Sequence, residues 1–548
     1  MSNIHNNFVG RIVEAATLTK FVFVSNKENH PPKFEYVVVK SKELVEDSYQ
    51  EVLVLAVVEG VLSKSSVYTD NLDLSTAEKI WQAGIDDSNV LCIAKTLGFL
   101  YRDKRGNTKI LMPRRAIYPG NEVFIAPDDY VKQFFSFPSE EGLQIGYLVS
   151  RLKIPVHVSL NGFRRHVAIL AQTGAGKSYT TGVLLEELIK KGATVVVIDP
   201  HADYVFLSRT EDNQRFEYHN RIFVFRNPNS TGRYAKEDID NLAEYTIKFA
   251  ELSSSEICSI LGIPPSYRKI IRAVDEAIKQ LKEDITKRDS YEPKDLIEML
   301  DLMASDNKKN SELKEGAFRA KIFAKKLEKL KVFGNVSTSI KNILKPAQIS
   351  VIDLSGLNDE SMDFIASRLL SEIYYEVING EFKYPVFIVI EEAHKFVPPK
   401  TAVPFSYSRD IINTIASEGR KFGIFLILIS QRPSKIDSDS LSQCNSQIIL
   451  RITNPLDQNA VRQSSERVSE ELLEDLPGLN VGEAVIVGEL VRVPVVVKIR
   501  DRVTKEGGSD IDVVDMLRRA REEAGFFEQL KDELRKYDTQ DNDRYSEV

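Results

Sequence analysis

The stretch ILAQTGAGKSYTT, residues 169–181, decides the fold class of this chain. It follows the apolar run Val167–Leu170 and leads into SYTTGVLLEELIKKG, where apolar residues recur at helical spacing until Gly192. The wholly apolar run ATVVVID then ends at Asp199. A strand, a helix and a second strand of these lengths predict a βαβ unit and therefore a parallel sheet.

The glycine-rich loop between that strand and that helix matches GxxxxGK[ST], the pattern of a phosphate-binding loop, with Ala171 in place of the first glycine. Lys177 is expected to reach the β- and γ-phosphates of ATP, and Ser178 to hold Mg²⁺. The positive end of the helix that begins here adds to the attraction for an anion. A chance glycine-rich turn is the alternative, and the flanking strand and helix argue against it. The backbone N–H groups expected to point at the phosphates are those of Gly174, Ala175 and Gly176.

Two adjacent acids, Glu391 and Glu392, end the apolar run VFIVIEE. Because successive residues of a strand point to opposite sides, one carboxylate can face a metal ion while the other faces water. We assign Glu391 to Mg²⁺, through coordinated water, and Glu392 to polarising the water that attacks the γ-phosphate. A surface pair of acids at a strand end is the alternative. His394, two residues further on, is expected to orient a neighbour.

A third apolar run, GIFLILISQRP, ends at Ser430 and Gln431, and Gln431 is expected to sense the γ-phosphate. Ahead of it, SEGRKFG places Arg420 and Lys421 on a short turn. Arg420 either completes a neighbouring subunit's site as an arginine finger or satisfies carbonyls at a helix end, and residue type alone leaves both open. The motif DPHADY contains three further polar residues, Asp199, His201 and Asp203. They either support the site from behind its ligands or belong to an ordinary polar loop, and the sequence leaves both interpretations open.

Strand-like and helical stretches divide the chain into regions. Short β-branched and aromatic runs between Phe8 and Ile125 predict a small β-barrel. Later apolar runs such as ISVIDLSGL and EAVIVG have no polar face, which predicts a mostly parallel sheet with helices on both sides. The predicted class is therefore α/β, with a RecA-like P-loop ATPase core. The predicted regions are a barrel at 1–126, a connector at 127–161, the core at 162–234 and 346–500, a helical insertion at 235–345 and a helical tail at 501–548.

The helical insertion contains the segment AFRAKIFAKKLEKLKVF. Its spacing places Phe318, Ile322 and Leu330 on one helical stripe, with lysines elsewhere. This pattern favours a solvated helical insertion over a dedicated DNA-binding arm.

Composition limits the classes of function. The 548 residues are 43% hydrophobic and 28% charged, as in ordinary soluble proteins. No apolar run reaches the roughly 20 residues of a membrane span, and the polar start MSNIHNNF is not a signal peptide. The three cysteines are far apart, so we expect a cytoplasmic protein without a structural zinc site. The net charge of -7 argues against an overall basic surface, although a basic pore in an acidic particle would leave this sign unchanged.

Six motifs occur in the order found in the HerA branch of the HerA/FtsK ring ATPases: LAQTGAGKS, VIDPHADY, VIEEAHKF, SEGRKFG, ILISQRP and LPGLNVGEAVIVG. The N-terminal GRIVEAATLTKFVFVSNKENHPPKFEYVVV resembles the small barrel, shared with ATP-synthase subunits, that opens those chains. The resemblance covers most of residues 8–500. The sequence departs from the branch in having HADY for the usual HGEY, and in its longer tail.

The resemblance implies a homohexamer that uses ATP and Mg²⁺ to pump double-stranded DNA through its lumen. It also implies a partner, a NurA-type nuclease docked on the barrel, with which such motors process DNA ends for recombination. It favours Arg420 as a finger acting in trans. Candidates for the lumen loops are KFVPPKTAVPFSYSR and RPSKIDSDS. The residues assigned to the nucleotide are Arg165, Thr173, Gly174, Ala175, Gly176, Lys177, Ser178, Tyr179, Lys498 and Ile499.

Two other functions are alternatives to a DNA motor. One is a ring ATPase acting on protein, and the other is a nucleotide-gated scaffold for a nuclease that barely hydrolyses ATP. The sequence shows no separate small helical lid of the kind expected in protein-unfolding ring ATPases. The intact pair of Lys177 and Glu392 argues against the scaffold.

Overall fold

The computed structural model describes residues 7–232, 234–306, 310–465, 468–508 and 513–525. In the first part of the chain, strands pair with the order β2-β1-β7-β3-β4-β5-β6, and β2 also pairs with β5, so six strands close into a barrel. Val37 and Val39 point into its core, as alternating residues of a strand do. The predicted barrel is confirmed. Its strands are β1 (Phe8–Val13), β2 (Lys20–Ser25), β3 (Tyr36–Val45), β4 (Ser48–Lys64), β5 (Asn89–Arg102), β6 (Thr108–Leu111) and β7 (Glu122–Ile125), with helix α1 (Leu74–Gln82) between β4 and β5.

A second, larger sheet carries the rest of the described strands. They are β8 (Gly142–Leu148), β9 (Arg151–Ser159), β10 (Val167–Leu170), β11 (Thr194–Asp199), β12 (Ile222–Arg226), β13 (Leu242–Glu244), β14 (Ile349–Asp353), β15 (Val386–Ile390), β16 (Ile424–Ser430), β17 (Ser446–Ile449), β18 (Glu483–Val487) and β19 (Val495–Ile499). Their order is β13-β12-β14-β11-β15-β16-β10-β17-β18-β19-β8-β9. Pairing is parallel from β13 to β17 and antiparallel from β17 to β9.

Helices cover both faces of this sheet. Ala168 and Leu170 of β10 pack into one hydrophobic core, and Val167 and Ile169 pack into the other. This explains why the strand is apolar at every position, and the predicted α/β class is confirmed. The helices are α2 (Asp128–Phe134), α3 (Lys177–Lys190), α4 (Ser254–Ile260), α5 (Arg268–Glu283), α6 (Pro293–Ser305), α7 (Ser311–Ala324), α8 (Ile340–Ile343), α9 (Asp359–Ile378), α10 (Arg409–Glu418), α11 (Ser438–Gln443), α12 (Pro455–Ser464) and α13 (Glu470–Asp475).

The stretch 127–161 differs from the connector that its sequence suggests. It holds α2, β8 and β9, and β8 pairs with β19, so the stretch extends the large sheet. Gly142, Gly146 and Pro155 interrupt the alternation of these strands and hide them from pattern analysis.

The helical insertion packs differently from its predicted stripe. Phe318 and Ile322 are 61% and 59% exposed, and α7 ends before Leu330 is reached. The buried face of α7 contains Gly316 and Ala320, and a Cβ at Gly316 would lie 2.4 Å from the carbonyl oxygen of Lys269 on α5. Small residues let these helices approach closely, so the predicted stripe is wrong.

Residues 500–508, which we call the strap, turn back across α3. The buried carboxylate of Glu186 accepts hydrogen bonds from the backbone N–H groups of Val503 and Thr504, at 2.8 and 2.7 Å. The strap ends where the N–H of Gly507 donates to the carbonyl of Asp203 at 3.0 Å. Residues 513–525 are helical, as the tail sequence predicts, and the remainder of that predicted helix lies outside the described residues. No helix within the described ranges has the length and apolar character needed to cross a bilayer.

Candidate nucleotide site

The carboxyl ends of four neighbouring parallel strands meet at one edge of the large sheet, which we call the carboxyl edge. The register pairs Leu170 of β10 with Ser430 of β16, and Ile390 of β15 with Leu428 of β16. β11 lies on the other side of β15 and ends at Asp199. The motifs that follow these strands are therefore adjacent in space, although they are far apart in the chain.

The phosphate loop has the backbone that its glycines predict. Gly174 and Gly176 have φ values of 75° and 96°, in the left-handed region that residues with a Cβ avoid. Among the described residues, the N–H groups of these two glycines have no backbone acceptor, whereas that of Ala175 donates to the Gln172 carbonyl at 3.2 Å. Ala171 is fully buried, so the missing first glycine leaves the exposed loop unaltered. Free N–H groups at the start of α3 form an anion-binding surface.

Lys177 joins this loop to the two acids. Its Nζ donates to Oε1 of Glu391 and, at 2.6 Å, to Oε1 of Glu392. The three side chains are only 11%, 0% and 6% exposed. Burial disfavours the charged ammonium, but the two carboxylates outweigh it, and the pKa of Lys177 is raised above its usual value. Removal of Lys177 would leave two buried carboxylates without their cation.

The two acids occupy different surroundings. Glu392 has φ 50°, which turns the chain so that its second oxygen lies 3.1 Å from Nδ1 of His394. The second oxygen of Glu391 instead accepts from the Tyr204 hydroxyl at 2.6 Å. Burial raises the pKa of Glu391 despite the nearby Lys177. For Glu392, burial is outweighed by the nearby His394 and by Lys177, and its pKa is lowered to about 2.

The loop of DPHADY lies beside the phosphate loop. The hydroxyl of Ser178 donates to Oδ2 of Asp203 at 2.8 Å. Asp199 is fully buried and accepts from the N–H groups of Asp203 and Tyr204, at 3.1 and 2.9 Å. Burial, reinforced by neighbouring acids, raises the pKa of Asp199 well above its usual value. Asp199 thus shapes the loop, Asp203 faces the serine of the phosphate loop, and His201 is exposed.

These contacts fit a magnesium ion shared with a nucleotide. The hydroxyl of Ser178 and the carboxylates of Asp203 and Glu391 are the hard oxygen donors that Mg²⁺ prefers. No group of three or more His, Cys, Asp or Glu within the described ranges could hold a metal ion alone. Phosphate oxygens would therefore be needed to complete its shell. Sequence reasoning left Asp203 open and missed Tyr204, although both follow a strand that ends at the carboxyl edge.

The sensor strand β16 also ends against the phosphate loop. The hydroxyl of Thr173 donates to Oε1 of Gln431. Ser430, one residue earlier, has its hydroxyl 3.1 Å from Nδ1 of His394. Gln431 is therefore placed where it can report on a ligand of the loop.

Lys498 and Ile499 lie on the opposite flank of the loop, and Gly482 connects them to it. The N–H of Gly482 donates to the Ala175 carbonyl at 3.3 Å, and the Gly482 carbonyl accepts from Ile499 at 2.9 Å. Lys498 donates to the carbonyl of Val481 at 2.7 Å.

Tyr179 of α3 points toward the strap, because its hydroxyl accepts from the N–H of Arg502 at 2.7 Å. This contact places Tyr179 at the border between the site and the strap.

Arg420 and Arg165 lie at the other end of the sheet, which we call the amino edge. Arg420 precedes β16, whose seven residues span about 20 Å at roughly 3.3 Å per residue. Arg165 precedes β10. Arg165 therefore lies at the end of β10 opposite the phosphate loop of its own chain, and its contact with a nucleotide stays a prediction. Both side chains make no hydrogen bond or ion pair with residues in the described ranges, and both are exposed.

Comparison with known proteins identifies the family. A family model described as "Helicase HerA, central domain" matches residues 143–373. The DNA double-strand break repair helicase HerA of Pyrococcus furiosus is 30% identical over 93% of this chain and 96% of its own length. This chain belongs to the HerA helicase family. The HerA protein of Saccharolobus solfataricus is 28% identical over 86% of this chain and 90% of its own length.

Solved structures with a similar fold include VirB4 of Thermoanaerobacter pseudethanolicus, which is 16% identical and has a TM-score of 0.45. That match covers 67% of the HerA-family chain and 98% of VirB4. The bacterial conjugative coupling protein TrwB is 13% identical, with a TM-score of 0.47, over 70% of this chain and 94% of TrwB.

Proposed function

We propose that this HerA-family protein is an ATP-driven translocase and helicase of double-stranded DNA. It acts as a homohexamer, in the cytoplasm, and works with a NurA-type nuclease in the resection of DNA ends for recombinational repair. The observation that carries the proposal is the contact of Lys177 with both Glu391 and Glu392 beside the phosphate loop. This places the groups needed for ATP hydrolysis within one chain's carboxyl edge.

ATP draws the Nζ of Lys177 away from the acids and onto the β- and γ-phosphates. Ser178, Glu391 and Asp203 would hold Mg²⁺, which would neutralise charge on the phosphates. Glu392, ionised and still beside His394, is then free to accept a hydrogen bond from the attacking water. The nucleotide is further contacted by the loop residues 173–179 and by Lys498 and Ile499, on the flank joined to the loop through Gly482.

Arg420 and Arg165 act on the nucleotide of the neighbouring subunit. Each lies at the amino edge, at the end of its strand opposite the phosphate loop of its own chain. In a ring with head-to-tail contacts, the amino edge of one subunit faces the carboxyl edge of the next. An arginine supplied in this way stabilises the charge that develops on the transferred phosphoryl group.

Double-stranded DNA as the substrate is supported by the names of the relatives, which are DNA double-strand break repair helicases. The test is ATP hydrolysis with and without linear duplex DNA, at about 50 and 200 mM salt, beside a native mass measurement. We expect stimulation by DNA that declines with salt, because phosphate contacts are screened and counterions are released. We expect a mass of about 370 kDa, six times the 62.0 kDa of one chain.

Equal turnover with and without DNA would contradict the translocase. Stimulation by an unfolded protein such as reduced casein, and not by DNA, would favour the ring motor that acts on protein. Absence of turnover under every condition would favour the nucleotide-gated scaffold.

A further inference from the structure

His394 lies between the ends of two strands that serve different parts of the site. Its Nδ1 is 3.1 Å from Oε2 of Glu392, which follows β15. The same Nδ1 is 3.1 Å from the hydroxyl oxygen of Ser430, the last residue of β16. The imidazole is 15% exposed, so water does not replace these contacts freely. One nitrogen is therefore within reach of both groups, but its hydrogen bond is with Ser430, and Oε2 of Glu392 makes none with the described residues.

Ser430 is tied to the phosphate loop by its backbone. It is fully buried and pairs in register with Leu170, and its carbonyl accepts from the N–H of Ala171 at 3.2 Å. The next residue, Gln431, accepts a hydrogen bond from Thr173 of the loop. A shift of the sensor strand on ligand binding is thus transmitted to the hydroxyl that faces His394.

Glu392 has two partners in this structure, Lys177 and His394. The proposed function withdraws Lys177 to the phosphates, which leaves His394 as the remaining hold on the carboxylate. An ionised carboxylate only accepts hydrogen bonds, so Nδ1 has to carry a proton before it can donate to Glu392, and Oε2 of Glu392 accepts no hydrogen bond within the described part of the chain. A single N–H cannot point fully at Glu392 and at Ser430 at once, so the contact can pass from one to the other.

We propose that His394 is a positioning residue that aims the Glu392 carboxylate at the attacking water and couples its orientation to the Ser430–Gln431 segment. The inference rests on the proposed ATP hydrolysis and adds a regulation of that site. Turnover is slow while Lys177 holds Glu392 and Nδ1 is hydrogen-bonded with Ser430. It accelerates when the γ-phosphate engages Lys177 and Gln431, because Ser430 then moves and Nδ1 turns to the Glu392 carboxylate.

The test compares three substitutions at one position. The side-chain N–H of asparagine can occupy the place of Nδ1, whereas that of glutamine extends toward the place of Nε2. The variants His394→Asn, His394→Gln and His394→Ala are assayed for kcat and KM with ATP and duplex DNA, and for ATP binding by the full-length chain.

We expect His394→Ala and His394→Gln to lose about 10- to 100-fold in kcat, because a small misplacement of a reacting group has effects of this size. Their affinity for ATP should stay within about threefold of wild type, which also shows that they fold, and His394→Asn should keep kcat within about threefold. Equal loss in all three variants, retention by glutamine alone, or wild-type kcat in His394→Ala would each overturn the proposal.

Coupling to the sensor strand is tested by a double-mutant cycle with Ser430→Ala. If His394 and Ser430 act together, the double variant with His394→Ala should lose no more kcat than His394→Ala alone. Losses that multiply would overturn the coupling. Wild-type chain without ATP turnover would overturn the proposed function, whereas wild-type turnover with an unaffected His394→Ala would overturn only this inference.

Discussion

The two edges of the large sheet differ in whether their charged side chains have partners within the chain. At the carboxyl edge, Lys177 pairs with both glutamates and Ser178 pairs with Asp203. At the amino edge, the exposed side chains of Arg165 and Arg420 make no hydrogen bond or ion pair within the described ranges. The charged groups of the carboxyl edge have partners within the chain, whereas the two arginine side chains of the amino edge have none among the described residues.

This difference fits the head-to-tail assembly that we propose. A charge that is held without a partner in one chain is available to a site in another, and contact between unlike edges generates rings. In the proposed function, the carboxyl edge supplies nucleotide binding and water activation, and the amino edge supplies the arginines. The complete ATPase site is therefore proposed to be shared between two subunits.

The largest expected effect comes from Lys177→Ala at the carboxyl edge. Loss of the ammonium removes the phosphate contact and leaves two buried carboxylates without their cation, so ATP binding and turnover should both fall below detection. Isothermal titration and an ATPase assay measure this. Lys190→Ala, at the far end of the same helix, is the control and should behave as wild type. Retained ATP binding in Lys177→Ala would contradict the role of this edge.

Arg420→Ala should lower kcat by about a thousandfold while ATP affinity changes little, because a trans-acting arginine stabilises the transition state more than the bound substrate. Single-turnover hydrolysis by the assembled ring measures it. The neighbouring Lys421→Ala removes an equally exposed cation from the same turn and should have little effect. Similar losses in both variants would indicate a general electrostatic role of the turn.

Glu392→Gln should lower turnover by several hundredfold, roughly the value of a general base, and should leave ATP binding intact. The amide cannot accept the proton of water as a carboxylate does, but it still fits beside His394. Turnover and nucleotide affinity are compared with those of Glu391→Gln, which we expect to weaken Mg²⁺-dependent binding instead. The same turnover and nucleotide affinity in both variants would contradict the different roles that we assign to Glu391 and Glu392.

The smallest expected effect concerns His166 at the amino edge and the dependence of folding stability on pH. His166 is buried with φ 52°, accepts from the N–H of Leu426 at 2.9 Å, and has its pKa lowered to about 4 by burial, with a further contribution from Arg420. The unfolded chain gains this proton near pH 6.5, so stability should fall as pH drops from about 6.5 toward 4, by about 2 kcal/mol at pH 5.

His166→Asn retains an acceptor and tolerates the left-handed backbone, so it isolates the titration of the imidazole. Thermal unfolding midpoints at pH 7 and pH 5 measure the effect. The decrease between these pH values should be smaller in His166→Asn than in wild type. Equal decreases would show that His166 is not neutral in the folded protein.

Much of the site could be predicted because each strand carries its own signature. A continuous apolar run precedes each of the phosphate loop, the acid pair and Gln431. Such a run followed by polar residues can be detected in a single sequence. The contact of Ser178 with Asp203 could not be predicted, because it depends on strand order. β11 lies next to β15 although β12, β13 and β14 intervene in the chain, and no local pattern encodes that order.

The errors in the fold have local causes. β8 and β9 contain glycine or proline, which weakens the alternation by which strands are recognised. In α7, hydrophobicity favours Phe318 and Ile322 as the buried face, whereas close helix packing selects Gly316 and Ala320. For Arg165, the sequence does not say which subunit's nucleotide it would contact, and only its placement before β10 distinguishes its own site from the neighbour's.

The most direct test of the shared site mixes two inactive subunits. Arg420→Ala chains keep an intact carboxyl edge, and Glu392→Gln chains keep an intact amino edge, so a mixed ring contains some complete sites. With random assembly at equal amounts, about a quarter of the contacts are complete, and DNA-stimulated ATPase activity should recover to roughly that fraction of wild type. Absence of recovery at every mixing ratio, with exchange of subunits confirmed by native mass, would contradict the account.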